Sequence, residues 1–168
     1  MTIKKDAARQ KARELVKEFG IKSLPVNVER IARAKGVKVE FAPFDDELSG
    51  MAFIKDGVPA IGINSLHHPN RQRFTLAHEL AHILLHPAEL EKAVHVDKGS
   101  LRRDRVSATG TDMLEIEANA FAAELLMPEE LLSAVLDEKL DLEDPQVLEK
   151  LANKFRVSMT ALQHRLHI

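Results

Sequence analysis

The chain has 168 residues, of which 45% are hydrophobic and 30% are charged, and its formal net charge is −2. This length fits one domain with enough apolar side chains for a core, while the near-neutral charge argues against tight binding to a phosphate backbone. Cysteine is absent, which excludes disulfides, thiolate ligands and a cysteine nucleophile, so a metal site in this chain must use histidine and carboxylate.

The N-terminal quarter of the chain predicts two helices followed by a strand. Apolar residues at helical spacing over Ala7–Phe19, ended by Gly20, predict the first helix. Pro25 opens a second, short helix that Gly36 ends. Alternation with a period of two over Val37–Phe41 then predicts a strand with one face toward the core.

A hairpin is predicted next, because two apolar runs flank an Asp-Gly pair. The two strands are Met51–Ile54 and Pro59–Ile63, and Asp56-Gly57 between them is a dipeptide that two-residue hairpin turns prefer. Val94–Val96 is a further short apolar segment. The sheet therefore has three strands, or four if that last segment pairs with it.

The rest of the chain is predicted to be helical apart from a polar, basic loop at Gly99–Thr111. Proline marks several helix boundaries, because it lacks the amide hydrogen that a helix interior needs. The predicted helices run from Asn70 or Arg71 to Leu85 or His86, from Met113 to Met127 with Thr111 or Asp112 as the cap, from Glu129 to Leu140, from Val147 to Phe155 and from Met159 to Leu166.

The order of helices, then strands, then helices is typical of an α+β fold. We expect the small sheet to pack on a helical core, with residues 1–130 as the main domain and residues 131–168 as a C-terminal helical cap. Apolar residues of this cap show a weak helix-turn-helix pattern around Val157-Ser158. Because the segment is not strongly basic, we expect no direct binding to nucleic acid.

The segment His78-Glu79-Leu80-Ala81-His82 is an H-E-x-x-H motif on a predicted helix. Residues i and i+4 lie on one face of a helix, so His78 and His82 can aim two imidazoles at one metal ion. Glu79 lies beside them, where it can take a proton from a water on that metal, whose pKa zinc lowers to about 7. The motif predicts a zinc site with Glu79 as the general base.

A catalytic zinc takes three protein ligands and keeps one position open, so the third ligand must come from another element. The helix Met113–Met127 offers Glu115 and Glu117, whose directions differ by about 200° around the helix axis. Glu115 lies at the edge of the apolar face and is the better ligand. Asn119, one turn further along, can orient a ligand histidine. We expect Glu117 and Glu124 on a solvated or salt-bridged face.

Together these two helices resemble the ImmA/IrrE family of metallopeptidases. The resemblance covers about residues 5 to 130 and rests on the segments Arg73–Ala77, His78–His86 and Glu115–Pro128, with a further match from Arg103-Asp104 to Ser107 and Gly110. It implies a zincin-like domain with a gluzincin-like site. Carried over residue by residue, the implied zinc ligands are His78, His82 and Glu115, with Glu79 as the general base and Asn119 as their outer partner.

The resemblance also implies a substrate class. Members of this family cleave helix-turn-helix repressors of the Xre type, which lifts repression of mobile-element or stress-response genes. The sequence begins almost directly with the predicted peptidase, and we therefore expect the target to be a separate repressor. The sequence shows no secretory signal and no run of roughly 20 apolar residues that would span a bilayer. We therefore expect a cytoplasmic protein without membrane contact.

Tyrosine, which often stabilises the oxyanion in zincin sites, is absent from the chain. Attack of water on a peptide carbonyl creates that oxyanion, and a hydrogen-bond donor must stabilise it. The donor is then the metal itself, a histidine, an arginine or a backbone N–H, and the candidate side chains are His95, Arg73 and Arg103. We favour His95 as a catalytic residue, because a short strand after the zinc helix could border the cleft.

Three further histidines have simpler interpretations. His86 lies one turn after His82 at the predicted helix end, where the helix dipole favours it. It is turned about 80° around the helix axis from His78, so the three rings do not easily share one ion. His67 and His68 are expected in the loop before the helix.

Two other functional classes stay open at this point. One is a regulatory module that binds a partner or DNA through the C-terminal helices. The other is a toxin or sensor whose zinc is structural or gated, and a structural zinc has four protein ligands. Three good ligands and an intact Glu79 favour catalysis over a closed site.

Overall fold

The computed structural model describes residues 2–98, 110–136 and 139–168. Within these ranges it contains eight helices and one four-stranded sheet, the α+β arrangement expected from the sequence. The helices are α1 Thr2–Glu18, α2 Val28–Ala34, α3 Pro69–Leu85, α4 Pro87–Lys92, α5 Gly110–Leu126, α6 Glu129–Leu136, α7 Pro145–Phe155 and α8 Met159–Leu166. The strands are β1 Lys38–Ala42, β2 Gly50–Lys55, β3 Val58–Asn64 and β4 His95–Asp97.

The strands are arranged in the order β1-β3-β2-β4. β1 is parallel to β3, whereas β2 is antiparallel to both β3 and β4. The fourth strand is therefore present, and it forms an edge of the sheet with His95 opposite Ala52. This pairing fixes the register of β4 on β2, and with it the position of His95 at the edge of the sheet.

The Asp56-Gly57 turn between β2 and β3 confirms the predicted hairpin. Both residues have positive φ angles, 53° for Asp56 and 76° for Gly57. Two consecutive positive φ angles define the type I′ turn, whose twist matches that of the paired strands. Lys55 and Val58 consequently pair directly across the turn.

Helix α3 is enclosed by other elements. It packs against β2 and β3 and also against α5, and its residues from Thr75 to Ile83 are all buried. The sheet approaches so closely that a Cβ on Gly50 would lie 2.6 Å from Cγ2 of Thr75 and 2.8 Å from the Gly62 carbonyl oxygen. Polar side chains on such a helix must find partners inside the protein, because water cannot reach them.

Three helices begin at other residues than predicted, for reasons of capping. α3 and α7 include Pro69 and Pro145 in their first turns, where the missing amide hydrogen costs nothing and the fixed φ fits a helix. Their starting amides bind the side chains of His68 and Asp144. α2 begins after Asn27, whose side chain accepts a hydrogen bond from the Arg30 amide, and not at Pro25.

Other boundaries were also misplaced by the sequence pattern. α5 already includes Gly110 and Thr111, so neither Thr111 nor Asp112 is its cap. The short helix α4 follows α3 directly and was not predicted, because Pro87 ends one helix and occupies the first turn of the next. α6 ends at Leu136, before the predicted Leu140. The predicted loop was Gly99–Thr111: residues 99–109 lie outside the described ranges, and Gly110 and Thr111 belong to α5.

The C-terminal helices are attached to the rest of the domain through polar contacts. Arg156 in the left-handed conformation and Ser158 as an N-cap connect α7 to α8, which matches the predicted helix pair. Two carbonyls of this connection accept hydrogen bonds from α3: Asn70 Nδ2 donates to Val157 at 3.3 Å and Arg73 Nε to Arg156 at 3.3 Å. The turn between α7 and α8 is therefore packed on the metal-motif helix.

A search for membrane-spanning segments over the described ranges finds no helix with the length and apolar character that crossing a bilayer requires.

Candidate metal centre

Four side chains from three elements converge on one point beside the sheet. They are His78 and His82 from α3, His95 from β4 and Glu115 from α5, and one ligand atom of each lies within 4.8 Å of the others. The structure thus brings together the three ligands predicted from the sequence and adds His95 to them. The sequence had singled out His95 only as an oxyanion donor.

The two histidines of the motif lie one turn apart on α3, as the i, i+4 spacing predicts. Their Nε2 atoms are 3.2 Å apart, and both side chains are buried. Burial lowers the pKa of His82 to about 4, because an imidazolium is poorly solvated there. The ring is therefore neutral near pH 7, which is the form that binds metals.

Glu115 is placed at the centre of the cluster. Its Oε2 lies 3.0 Å from Nε2 of His78, and its Oε1 lies 3.2 Å from Nε2 of His82 and 2.6 Å from Nε2 of His95. Burial by itself would raise the pKa of this carboxyl, but its contacts with the three rings hold it well below its usual range. Glu115 is anionic and faces the imidazole nitrogens, as the helix geometry predicted.

Glu79 contributes a buried carboxylate at the side of the cluster. Its Oε2 lies 2.9 Å from Nδ1 of His95. No group within the described ranges forms a hydrogen bond to its other oxygen, Oε1, which is fully buried. Burial raises the pKa of Glu79 above that of an ordinary glutamate. A buried carboxylate oxygen left free in this way is suited to take a hydrogen bond from a small polar molecule, such as water.

His95 bridges the two carboxylates. Burial by itself would lower its pKa, but the hydrogen bonds to Glu115 and Glu79 raise it to about 10. Of the other two oxyanion candidates, only Arg73 lies within the described ranges. Arg73 Nε donates to the Arg156 carbonyl instead, and Arg103 lies outside the described residues. Of the three candidates, only His95 is placed at the site by the described structure.

In both ligand histidines of α3, the ring nitrogen Nδ1 contacts a further side chain. Asn119 Oδ1 lies 2.9 Å from Nδ1 of His78, which is the contact expected from the sequence. Nδ1 of His82 lies 3.0 Å from Nδ1 of His86, whose Nε2 lies 2.6 Å from Oε2 of Glu117. Each ligand ring thus has its Nδ1 occupied and its Nε2 directed at the cluster.

The interpretation of His86 from the sequence needs correction. His86 does end α3, as predicted, but its ring is buried between His82 and Glu117 and the helix dipole is not its main partner. Glu117 was expected on a solvated or salt-bridged face, and it lies where its carboxylate contacts His86 at 2.6 Å and its side chain is 16% exposed. The four-residue spacing from His82 to His86 is the sequence signal that could have indicated this contact.

Two remaining histidines precede α3, as predicted, and lie in different surroundings. His68 is the N-cap of α3 and accepts a hydrogen bond from the Asn70 amide. His67 is buried, with Nε2 2.9 Å from the Asp46 carbonyl oxygen and 3.2 Å from Nδ2 of Asn64. The ring contacts of His67 are therefore to the loop before the hairpin and to the end of β3.

The donor set fits a divalent metal. Imidazole nitrogens and a carboxylate within 4.8 Å of one another suit first-row transition metals, and Glu79 contacts one of these imidazoles, that of His95. A second combination of buried residues, His78, Glu79 and Asp97, is equally compact. It shares His78 with the first combination.

A helix with two metal-binding histidines, a facing helix with a carboxylate and a sheet edge beside them define a domain of the metallopeptidase type. The comparison with known families agrees. The model of the IrrE N-terminal-like domain, peptidase family M78, matches residues 32–167. The chain belongs to this family.

Individual relatives match over shorter segments. The chain is 40% identical over 76 residues to the radiation response metalloprotease IrrE of Deinococcus radiodurans, which is 45% of this chain and 21% of that protein. The corresponding protein of Deinococcus deserti is 41% identical over 75 residues, 44% of this chain and 24% of the relative. Both matches thus span less than a quarter of the relative's length.

One solved structure extends the comparison of the fold. A Mycobacterium tuberculosis transcriptional regulator superposes with a TM-score of 0.63 at 19% sequence identity. The match covers 96% of this chain and 46% of the regulator. At this identity the likeness concerns the fold, and it includes the C-terminal helices as well as the sheet.

Proposed function

We propose that this protein is a zinc-dependent endopeptidase. The observation that supports it best is the buried Glu79 carboxylate, which contacts His95 of the ligand cluster through Oε2 at 2.9 Å and leaves Oε1 without a hydrogen bond in the described ranges. Two imidazoles and a carboxylate are a donor set of catalytic zinc sites, which keep one position open for water or substrate. Membership of the M78 peptidase family supports the same reaction class.

Each residue of the site has a separate task in this proposal. When bound, zinc supplies a Lewis acid that polarises the scissile carbonyl and makes water more acidic. Glu79 Oε1 accepts a proton from the attacking water and returns it to the nitrogen of the leaving amine. Asn119 accepts a hydrogen bond from Nδ1 of His78, which leaves Nε2 of that ring free to bind the metal.

We further propose that the substrate is a specific intracellular protein, a helix-turn-helix repressor of the Xre type. Its cleavage would derepress mobile-element or stress-response genes. Relatives and a structural neighbour that are named a radiation response metalloprotease and a transcriptional regulator support a role in regulation. The formal net charge of −2 supports a protein substrate over nucleic acid as the direct partner.

Incubation with a repressor tests this proposal. The zinc-loaded protein is mixed with the Xre-type repressor encoded nearest to its gene, and the products are identified by mass spectrometry. We expect limited cleavage that a zinc chelator abolishes and added zinc restores, because the site needs its metal. Casein serves as the control for specificity. A repressor that stays intact beside zinc-loaded protein would contradict the assigned substrate.

His95 is proposed as the donor that stabilises the oxyanion. Its ring lies on the edge strand, contacts Glu79 at 2.9 Å and is 20% exposed, so a substrate carbonyl can approach it. We expect His95→Ala to slow cleavage by about 10²–10³-fold, the usual effect of removing one oxyanion donor. Zinc content is expected to remain one equivalent. The exposed His164 on α8 provides the control, His164→Ala. An unchanged rate would contradict this role.

A closed metal site is the second candidate function. His95 Nε2 belongs to the same cluster as the three proposed ligands, and four protein ligands are typical of a structural zinc. In that case the protein would be a non-proteolytic regulatory module that binds its partner without cleaving it. Loss of zinc from His95→Ala would favour this function, whereas retained zinc with slow cleavage would favour the peptidase.

A further inference from the structure

A chain of three side chains leads away from the cluster behind His82. The ring of His82 contacts the ring of His86 through their Nδ1 atoms at 3.0 Å, and Nε2 of His86 contacts Oε2 of Glu117 at 2.6 Å. The side chains of His82 and His86 are 3% and 5% exposed, and that of Glu117 is 16% exposed. Water therefore has little access to the two rings, and their hydrogen bonds must be made with other groups of the protein.

The chemistry of the last member determines where the protons lie. A carboxylate accepts hydrogen bonds and donates none, so the Nε2 atom of His86 must carry a hydrogen toward Glu117. A neutral imidazole has one donor and one acceptor, which leaves Nδ1 of His86 as an acceptor. The short contact between the two Nδ1 atoms then requires that His82 donates its Nδ1 hydrogen to His86. Nε2 of His82 is left with a free lone pair.

That lone pair points into the cluster. Nε2 of His82 lies 3.2 Å from Oε1 of Glu115 and 3.2 Å from Nε2 of His78. Asn119 has the same effect on the other ring, because its Oδ1 accepts from Nδ1 of His78 at 2.9 Å. The two ligand rings are thus set in the same tautomer by different partners, one by an amide and the other by a histidine and a carboxylate.

We propose that His86 and Glu117 are positioning residues that hold His82 in the tautomer with hydrogen on Nδ1, so that Nε2 is ready to bind the metal. This inference rests on the proposed function in requiring a metal at the cluster. A ligand histidine generally donates its other nitrogen to an outer partner, and losing that partner costs about 10–100-fold in metal affinity. Here the partner is itself a histidine, oriented by a carboxylate from the facing helix.

A second glutamate of α5, Glu124, provides a control that distinguishes a positioning role from a purely structural one. Glu124 of α5 is 1% exposed and binds the guanidinium groups of Arg13 and Arg165 at 3.1 and 2.8 Å. Like Glu117 it connects α5 to other helices through side-chain hydrogen bonds. Its hydrogen bonds within the described ranges go to Arg13, Arg165 and the Glu129 amide, away from the metal cluster. Glu124→Gln is therefore the matched control for Glu117→Gln.

Zinc affinity is the first measurement. Dissociation constants are determined by competition with a chromogenic chelator for the wild type, Glu117→Gln, His86→Phe and Glu124→Gln. We expect the Glu117 and His86 variants to bind zinc about 10–100-fold more weakly, as is usual for a lost outer partner. Glu124→Gln is expected to keep the wild-type affinity even though its free energy of unfolding falls. Equal affinities in all four proteins would overturn the proposal.

The tautomer of His82 is the second measurement, made on the metal-free protein. Long-range ¹⁵N–¹H NMR of the histidine rings distinguishes hydrogen on Nδ1 from hydrogen on Nε2. We expect the Nδ1 form in the wild type and in Glu124→Gln. In Glu117→Gln we expect a mixture, because an amide can also donate to His86 and reverse the chain. If His82 in Glu117→Gln is found in the Nδ1 form alone, as in the wild type, the proposal is contradicted. This measurement decides the proposal even if His86→Phe fails to fold.

These outcomes are distinguishable from a failure of the proposed function. If the wild type binds no zinc, the metallopeptidase proposal fails, while the NMR measurement still decides whether the chain of hydrogen bonds sets the tautomer. If the wild type binds zinc and both variants bind it equally well, the positioning role fails and the metal site stands.

Discussion

The Glu79→Gln protein is expected to retain one equivalent of zinc and to cleave its substrate about 10²–10⁴-fold more slowly than the wild type. The amide has nearly the volume of the carboxylate, so the buried site keeps its packing. It cannot accept the proton that Glu79 Oε1 is proposed to take from water. The single-turnover cleavage rate and the zinc content of the same sample are the two measurements.

Glu91→Gln is the matched control for this substitution, since Glu91 lies on the exposed surface of α4. It is expected to cleave and to bind zinc like the wild type. A Glu79→Gln protein that loses its zinc would show that Glu79 is a ligand, as in the alternative cluster with His78 and Asp97. One that cleaves at the wild-type rate would exclude Glu79 as the general base.

The Arg165→Met protein is expected to lose about 3 kcal/mol in the free energy of unfolding, as is typical when one partner of a buried ion pair is removed. Arg165 on α8 donates to Oε2 of Glu124 at 2.8 Å and is itself only 19% exposed. Without it, the carboxylate of Glu124, which is 1% exposed, loses its more buried counterion. We expect this loss of stability to lie near the lower end of the range usual for buried ion pairs, because Arg13 remains bound to Glu124.

Arg13→Met is the comparison within the same ion-pair cluster. Arg13 on α1 also binds Glu124, at 3.1 Å, but its side chain is 45% exposed. We expect a loss of about 1 kcal/mol or less, since an exposed ion pair competes with water. Urea unfolding followed by circular dichroism measures both values. Equal losses for the two variants would contradict the argument that burial sets the strength of these contacts.

The motif helix and the hairpin could be predicted because both depend on residues that are close in the sequence. The four-residue spacing of His78 and His82 places their rings on one face of any α-helix, whatever packs on it. The Asp56-Gly57 pair specifies a type I′ turn through its own φ preferences. The preference for Glu115 over Glu117 also follows from helix geometry, because residues two apart point to different sides of a helix.

Other contacts could not be predicted, because their partners are distant in the sequence. His86 and Glu117 are 31 positions apart, and only the packing of α5 on α3 brings them together. Glu124 and Arg13 are 111 positions apart. Glu124 was correctly expected on a salt-bridged or solvated face, but its near-complete burial depends on α1 and α8, which cover it. Helix periodicity alone does not show which elements will do so.

The placement of His95 depends partly on the local sequence and partly on the tertiary structure. The sequence by itself determined the H-E-x-x-H helix, the carboxylate helix and a short strand containing His95, since local spacing and turn chemistry suffice for each. The tertiary structure decided that β4 pairs with β2 at the sheet edge, and so that the His95 ring reaches both Glu79 and Glu115. The physical reason is that hydrogen bonds between strands set the register, and the register sets where an edge side chain lies.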